Sequence, residues 1–299
     1  MRMTMRVRVS SEARRVGPGT ALLLLLGLIG AVGGLVGCER LGLRPVGGDG
    51  DGEPPPPEVQ ILDVLAAPTE VPGDLAWDGE ALWVADVAGE ALHRVSPVDG
   101  RVLAQVRLPG LGVLVLGVAW DGEALWVAMP LDGALYRLAP SSGRVLARLR
   151  LPEAVTDPRG LTWDEAGRAL WLLDGAAGLL QLDLRDGRVL QGRAVTAEDP
   201  QGLAWDGERF WLIARERSQL ERVTPLGEAE AAWPLPPPIA APAGLVWTGV
   251  LAPGQGELWL SDEASGALFR LRVPDIGLGP NKPEPGFPNE ARDQPPAGR

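Results

Sequence analysis

Apolar and polar positions in this chain follow one unit that recurs five times. The second copy, Gly117-Val118-Ala119-Trp120-Asp121-Gly122-Glu123-Ala124-Leu125-Trp126-Val127, shows it in full. A short apolar run ends in Trp-Asp-Gly, and a nearly continuous apolar run follows. The first Trp of each copy stands at 77, 120, 163, 205 and 247, a period of 42 to 43 residues. That spacing falls within the range of propeller-type repeats.

The first copy reads as a blade. Leu75-Ala76-Trp77 is an apolar strand, and Asp78-Gly79 is a hairpin turn, because Gly accepts the positive φ such turns demand. Ala81 to Ala85 is uniformly apolar, as expected of a strand buried on both faces. Ala91 to Val95 is a third strand of mixed polarity. Arg101 to Leu108 is a fourth, with Gln105 and Arg107 alternating against Val106 and Leu108. Polarity rises from first strand to fourth, which predicts an antiparallel four-stranded blade with its inner strand most buried.

The fifth copy ends after its third strand, Leu268 to Val273, and Val59 to Leu65 supplies a spare strand upstream. The pattern therefore predicts an all-β fold, a five-bladed β-propeller whose N-terminal strand completes the last blade and closes the ring. Closure removes the open edges that five separate sheets would present. A β-solenoid is the alternative and would not need the displaced strand.

The flanks divide the chain further. Residues 1–19 carry five arginines against one acid, and 20–37 are uncharged and apolar. A basic segment before an apolar one is an export signal. Leu35-Val36-Gly37-Cys38 resembles the lipobox of bacterial lipoproteins. That resemblance implies cleavage before Cys38, acylation of its thiol, and a lipid-anchored protein of the bacterial cell envelope outside the cytoplasmic membrane. An uncleaved anchor helix is the other reading of 20–37, and it gives the same sidedness. Residues 1–38 are thus a lipoprotein-type signal, 39–57 a Gly/Pro-rich tether, 58–274 the propeller and 275–299 a Pro-rich tail expected to be disordered.

Composition narrows the chemistry. The net charge of −11 argues against a nucleic-acid surface. One Cys and one His leave no disulfide within the chain and no multi-Cys or multi-His metal site. No cofactor is expected. An aspartate ring leaves room for a hard cation such as Ca²⁺, which needs only several oxygens, but nothing else in the sequence supports one.

The repeat segments, such as Gly202-Leu203-Ala204-Trp205-Asp206-Gly207 with Phe210-Trp211-Leu212, resemble extracytoplasmic propellers of the NHL and YncE kind and the five-bladed plant-type glutaminyl cyclotransferases. The likeness covers about 58–274 and rests on fold-building residues. Cyclotransferases typically carry Thr-Gln-Gly-Leu and Glu-Gly-Leu segments. Pro200-Gln201-Gly202-Leu203 and Pro158-Arg159-Gly160-Leu161 stand nearest here, and the second lacks the acid.

Loops entering the first strand and leaving the second fall on one face of a propeller. They place Asp86, Asp157, Asp174, Asp199 and Asp262, with Arg159, Gln201 and Arg215, around one mouth. Arg159 and Gln201 differ between copies and are the stronger binding candidates. Asp86, Asp174 and Asp262 recur, so loop stabilisation competes with ligand binding for them. His93 occupies a freely varying third-strand position and is discounted as a base. The leading expectation is a scaffold that binds a protein, peptide or glycan at this mouth. The alternatives are a cyclotransferase-like enzyme using Asp157 or Asp199 as its acid, and a structural component of an envelope assembly.

Overall fold

The computed structural model describes residues 58–108, 115–252 and 255–274. The expected signal with Cys38, the tether and the C-terminal tail lie outside these residues. Blade 1 comprises β2 (Pro72–Trp77), β3 (Leu82–Asp86), β4 (Ala91–Val95) and β5 (Val102–Arg107), following β1 (Gln60–Ala66). Blade 2 comprises β6 (Gly117–Trp120), β7 (Leu125–Met129), β8 (Ala134–Leu138) and β9 (Val145–Arg150). Blade 3 comprises β10 (Pro158–Asp164), β11 (Ala169–Asp174), β12 (Gly178–Leu182) and β13 (Val189–Arg193). Blade 4 comprises β14 (Pro200–Trp205), β15 (Phe210–Ala214), β16 (Gln219–Val223) and β17 (Ala229–Pro234). Blade 5 comprises β18 (Pro242–Ala252), β19 (Gln255–Asp262) and β20 (Ala267–Val273).

The ring closes as the sequence predicts. β1 pairs antiparallel with β20, joining Gln60 to Arg272 and Leu65 to Leu268, and gives blade 5 its fourth strand. Among the described residues there are five four-stranded antiparallel sheets, which excludes the solenoid.

Each Trp-Asp-Gly turn does two jobs. In blade 1, Asp78 accepts the backbone N–H groups of Glu80 and Ala81, shaping the turn. Its other oxygen accepts the Trp83 indole N–H at 2.9 Å and Arg94 Nε at 2.6 Å. Asp121 holds Trp126 and Arg137 in the same way, and Asp206 holds Trp211. Burial pushes Asp78 and Asp121 upward, but the guanidinium and the turn N–H groups outweigh it and hold both carboxyls below the usual range. Blade 5 has no such Asp. There Thr248 and Arg270 meet on Glu257 instead.

The second Trp of each unit is buried, at 6% exposure or less. These rings pack the spaces between blades, with Trp211 stacked on Trp247 and Trp171 edge-on to Phe210. The apolar core is accordingly divided into five clusters, one at each blade-to-blade seam.

Candidate functional site

At three inner-strand glycines the neighbouring blade comes so close that a Cβ has no room. A Cβ on Gly160 would lie 2.8 Å from the Leu203 nitrogen, and one on Gly202 would lie 3.0 Å from the Leu245 nitrogen. A Cβ on Gly244 would lie 2.6 Å from the Asp74 Cα. Blades 1, 3, 4 and 5 each carry a register break here, between Pro72 and Leu75, Pro158 and Gly160, Gln201 and Leu203, and Pro242 and Leu245. Such bulges bend a strand and re-aim its side chains. Arg159 and Asp74 lie within them, and Gln201 borders the one in blade 4.

Blades 3 and 4 build one cluster at the mouth. Arg159 makes a two-pronged pair with Asp157, Nε to Oδ1 at 2.7 Å and Nη2 to Oδ2 at 2.8 Å. Its Nη1 lies 3.5 Å from Asp199 Oδ1, which also accepts Gln201 Nε2 at 3.2 Å. Desolvation of Arg159 is outweighed by Asp157, whose hydrogen bond raises the guanidinium further. Asp157, Arg159 and Asp199 are part-exposed, while Gln201 is buried. Asp199 takes a positive φ of 49°, a conformation Asp tolerates better than most side chains.

The recurring aspartates serve their own loops. Asp174 is fully buried and accepts four backbone N–H groups, from Thr156, Asp157, Ala176 and Ala177, so it fixes the loop that presents Asp157. Asp262 takes Ala240, Ala241 and Ser265. Asp86 takes the Thr69 hydroxyl and the Gly89 N–H, with His93 Nε2 at 3.6 Å. Arg215 reaches Glu263 across the next seam at 3.4 Å. Among the described residues, no three His, Cys, Asp or Glu side chains converge as a metal site would require.

Asp74 is the residue the sequence reading passed over. It stands where the other four copies carry Gly117, Gly160, Gly202 and Gly244. Its side chain enters the axis with 3% exposure. Oδ2 accepts the N–H of Val118 at 2.8 Å and of Leu161 at 3.1 Å, from the inner strands of blades 2 and 3. Oδ1 has no hydrogen-bond partner among the described residues. Burial dominates these N–H groups and pushes the carboxyl up to about 7. A buried acid that titrates near neutrality is a recurrent feature of functional sites.

No family model matches the chain, and no curated protein matches it. Solved structures do. The fold is similar to that of the Myxococcus xanthus glutaminyl cyclase, with a TM-score of 0.60 at 16% identity, covering 74% of this chain and 98% of that one. Virginiamycin B lyase from Staphylococcus aureus, solved with quinupristin, gives a TM-score of 0.44 at 19% identity, covering 68% of this chain and 66% of that one. A streptogramin B lyase gives 0.44 at 13% identity, covering 72% and 97%. The likeness to the glutaminyl cyclase is one of fold: this chain is a five-bladed β-propeller with that protein among its structural neighbours.

Proposed function

We propose that this chain is an exported, lipid-anchored propeller that binds a protein, peptide or glycan at the mouth formed by blades 3 and 4. One observation carries the reading. The polar side chains by which these two blades depart from their sister copies, Arg159 and Gln201, share a single carboxylate, Asp199, in one half-open cluster. Blade-building residues repeat, and ligand-reading residues have reason to differ. The guanidinium is already held by Asp157 and Asp199, so it stands as a rigid, largely neutralised fork. Such a surface suits dipolar groups, amide or hydroxyl, better than a bare ion.

The test is a peptide and glycan array probed with the full chain. A discrete set of ligands, lost at least tenfold by the Arg159→Ala/Gln201→Ala pair, supports the site. Equal retention by the variant removes it.

A cyclotransferase-like reaction is the second reading, and Asp74 favours it. Asp157 and Asp199, the acids expected from sequence, are both drawn to Arg159 and are poorly placed to shuttle a proton. Asp74 is buried and titrates near neutrality, and it bonds the N–H two residues beyond Arg159. Loss of ammonia from a Gln-initiated peptide, abolished by Asp74→Asn but retained by Asp157→Asn, is the expected result of this reading. No loss above the spontaneous background sinks it.

A further inference from the structure

The outermost strands differ sharply in charge around the ring. Residues 101–107, 144–150 and 188–193, on blades 1 to 3, carry seven arginines and no carboxylate. The matching edge of blade 4 carries Glu228 and Glu230, and that of blade 5 carries Asp63. This basic arc belongs to a chain of net charge −11, so it does not reflect overall composition.

The arc is built from one seam geometry used twice. At the blade 1–2 seam, the Ser141-Ser142-Gly143 turn packs on β5, where a Cβ on Gly143 would lie 2.9 Å from the Arg107 carbonyl oxygen. Arg107, Arg144, Ser141 and Ser142 line the resulting groove of about 590 Å³. At the blade 2–3 seam, Gly187 packs on the Arg150 carbonyl in the same manner, bringing Arg188 beside Arg150. At the blade 3–4 seam, Gly227 repeats the contact on Ala194, and the next residue is Glu228. The sign changes there and the arc ends.

Part of this charge is already neutralised. Arg101 pairs with Asp99 at 2.6 Å, and Arg188 lies 3.4 Å from Asp183. Arg148 donates to the Tyr136 hydroxyl. Arg107, Arg144 and Arg150 are exposed and have no carboxylate partner among the described residues. Aliphatic side chains lie open between them, with Leu103 at 51%, Leu146 at 39% and Leu190 at 52% exposure.

We infer that this arc is a docking edge for an anionic phospholipid bilayer. Phosphate headgroups would enter the two arginine-lined seams, while Leu103, Leu146 and Leu190 reach the interfacial layer. Arginines near an anionic leaflet add attraction individually, and exposed aliphatics add apolar burial that a purely ionic polymer does not reward. The inference does not depend on the mouth reading or on Cys38, because every residue in it belongs to the propeller.

Flotation of the full chain with vesicles tests it. One set is neutral phosphatidylcholine and the other is phosphatidylcholine with phosphatidylglycerol. The N-terminal segment is common to all variants, so differences between variants report the arc. Wild type should favour the anionic vesicles, and the preference should fall with salt. Arg107→Glu/Arg144→Glu/Arg150→Glu should cut anionic binding by roughly tenfold or more. A control with equal charge change elsewhere, Arg168→Glu/Arg217→Glu/Arg272→Glu, should cut it less. Leu103→Ser/Leu146→Ser should weaken anionic binding several-fold, and an unchanged melting curve shows the fold intact. Equal binding by wild type and the arc variant overturns the inference. So does complete competition by soluble dextran sulfate with no effect of the leucine pair, which would make the arc a polyanion site.

Discussion

Asp74 Oδ2 accepts the backbone N–H of Leu161 at 3.1 Å, across 87 residues of sequence. With the bond to Val118, one carboxylate of blade 1 joins the inner strands of blades 2 and 3. Inner strands have no neighbour on their axial side, and their N–H groups there need an acceptor. Asp74 supplies it in a space where the four sister positions carry only glycine.

This placement predicts a pH-dependent stability. The folded pKa of Asp74, about 7, lies above its ordinary value of 3.8, so the folded state holds the proton more tightly. Its contribution is full below pH 4, declines as pH rises through 7, and levels off above. The change amounts to about 4 kcal/mol. Asp74→Asn keeps an acceptor oxygen and removes the titration, so urea unfolding of this variant should lack that decline. Parallel profiles for wild type and variant would rule Asp74 out as the titrating group.

The Trp-Asp turn predicts the opposite slope. Asp121 is held below its ordinary range in the folded state, so its contribution is present above the unfolded value and lost as pH falls through the folded one. Asp121→Ala also strands the Trp126 indole N–H and leaves the Arg137 guanidinium only its exposed partner Glu123. The expected loss is roughly 2–4 kcal/mol by chemical denaturation at neutral pH. A loss under about 0.5 kcal/mol, typical of a surface change, would mean the turn is held by its backbone alone.

The axial glycines set a steric limit. Gly160→Ala places a methyl 2.8 Å from the Leu203 nitrogen, and both atoms belong to packed inner strands that cannot yield separately. We expect a loss of roughly 1–3 kcal/mol from overpacking. Gly79→Ala is the contrast. No described residue lies within 4 Å of that Cβ, so its cost comes from the positive φ of 94°. A thermal melt showing Gly160→Ala as mild as an exposed-loop substitution would contradict the close approach.

The fold was legible because its determinants are local and repeated. Trp-Asp-Gly sets the hairpins of blades 1, 2 and 4, the apolar run marks each second strand, and the missing fourth strand of blade 5 has one counterpart, β1. The cluster of Arg159, Gln201, Asp157 and Asp199 was legible because departure from a repeat is visible in a single chain. Asp74 departs just as plainly, yet in sequence it reads as the first residue of an apolar run. Its burial and its raised pKa arise only when inner strands far apart in sequence converge on the axis. The roles of Asp86, Asp174 and Asp262 were similarly open, because a loop-capping aspartate and a ligand-binding one look alike until the N–H groups around them are placed.

The mouth cluster should be separable from stability. Asp157 and Arg159 are both part-exposed, with side chains at 41% and 27%, so their pair contributes about 1 kcal/mol at most. Arg159→Ala should therefore leave the melting temperature within a few degrees of wild type while removing ligand retention on the array. A large drop in melting temperature would assign the pair to the blade 3–4 seam instead. Binding loss could then not be ascribed to the mouth.

Ring closure by β1 makes the last prediction. Val59 and Ile61 pack with the blade 4–5 cluster, and Leu65 packs at the blade 5–1 seam, so one strand contributes to two seams. Deleting residues 58–66 from the chain removes this packing and bares β20, an edge of seven residues that includes Phe269 and Leu271. An uncovered apolar edge invites pairing with another chain. The deletion should associate on size-exclusion chromatography and unfold at lower denaturant than wild type. A synthetic 58–66 peptide added in trans should pair with β20 and restore part of the monomer. A deletion that stays monomeric and equally stable would show that blade 5 holds with three strands, leaving β1 without a role in closing the ring.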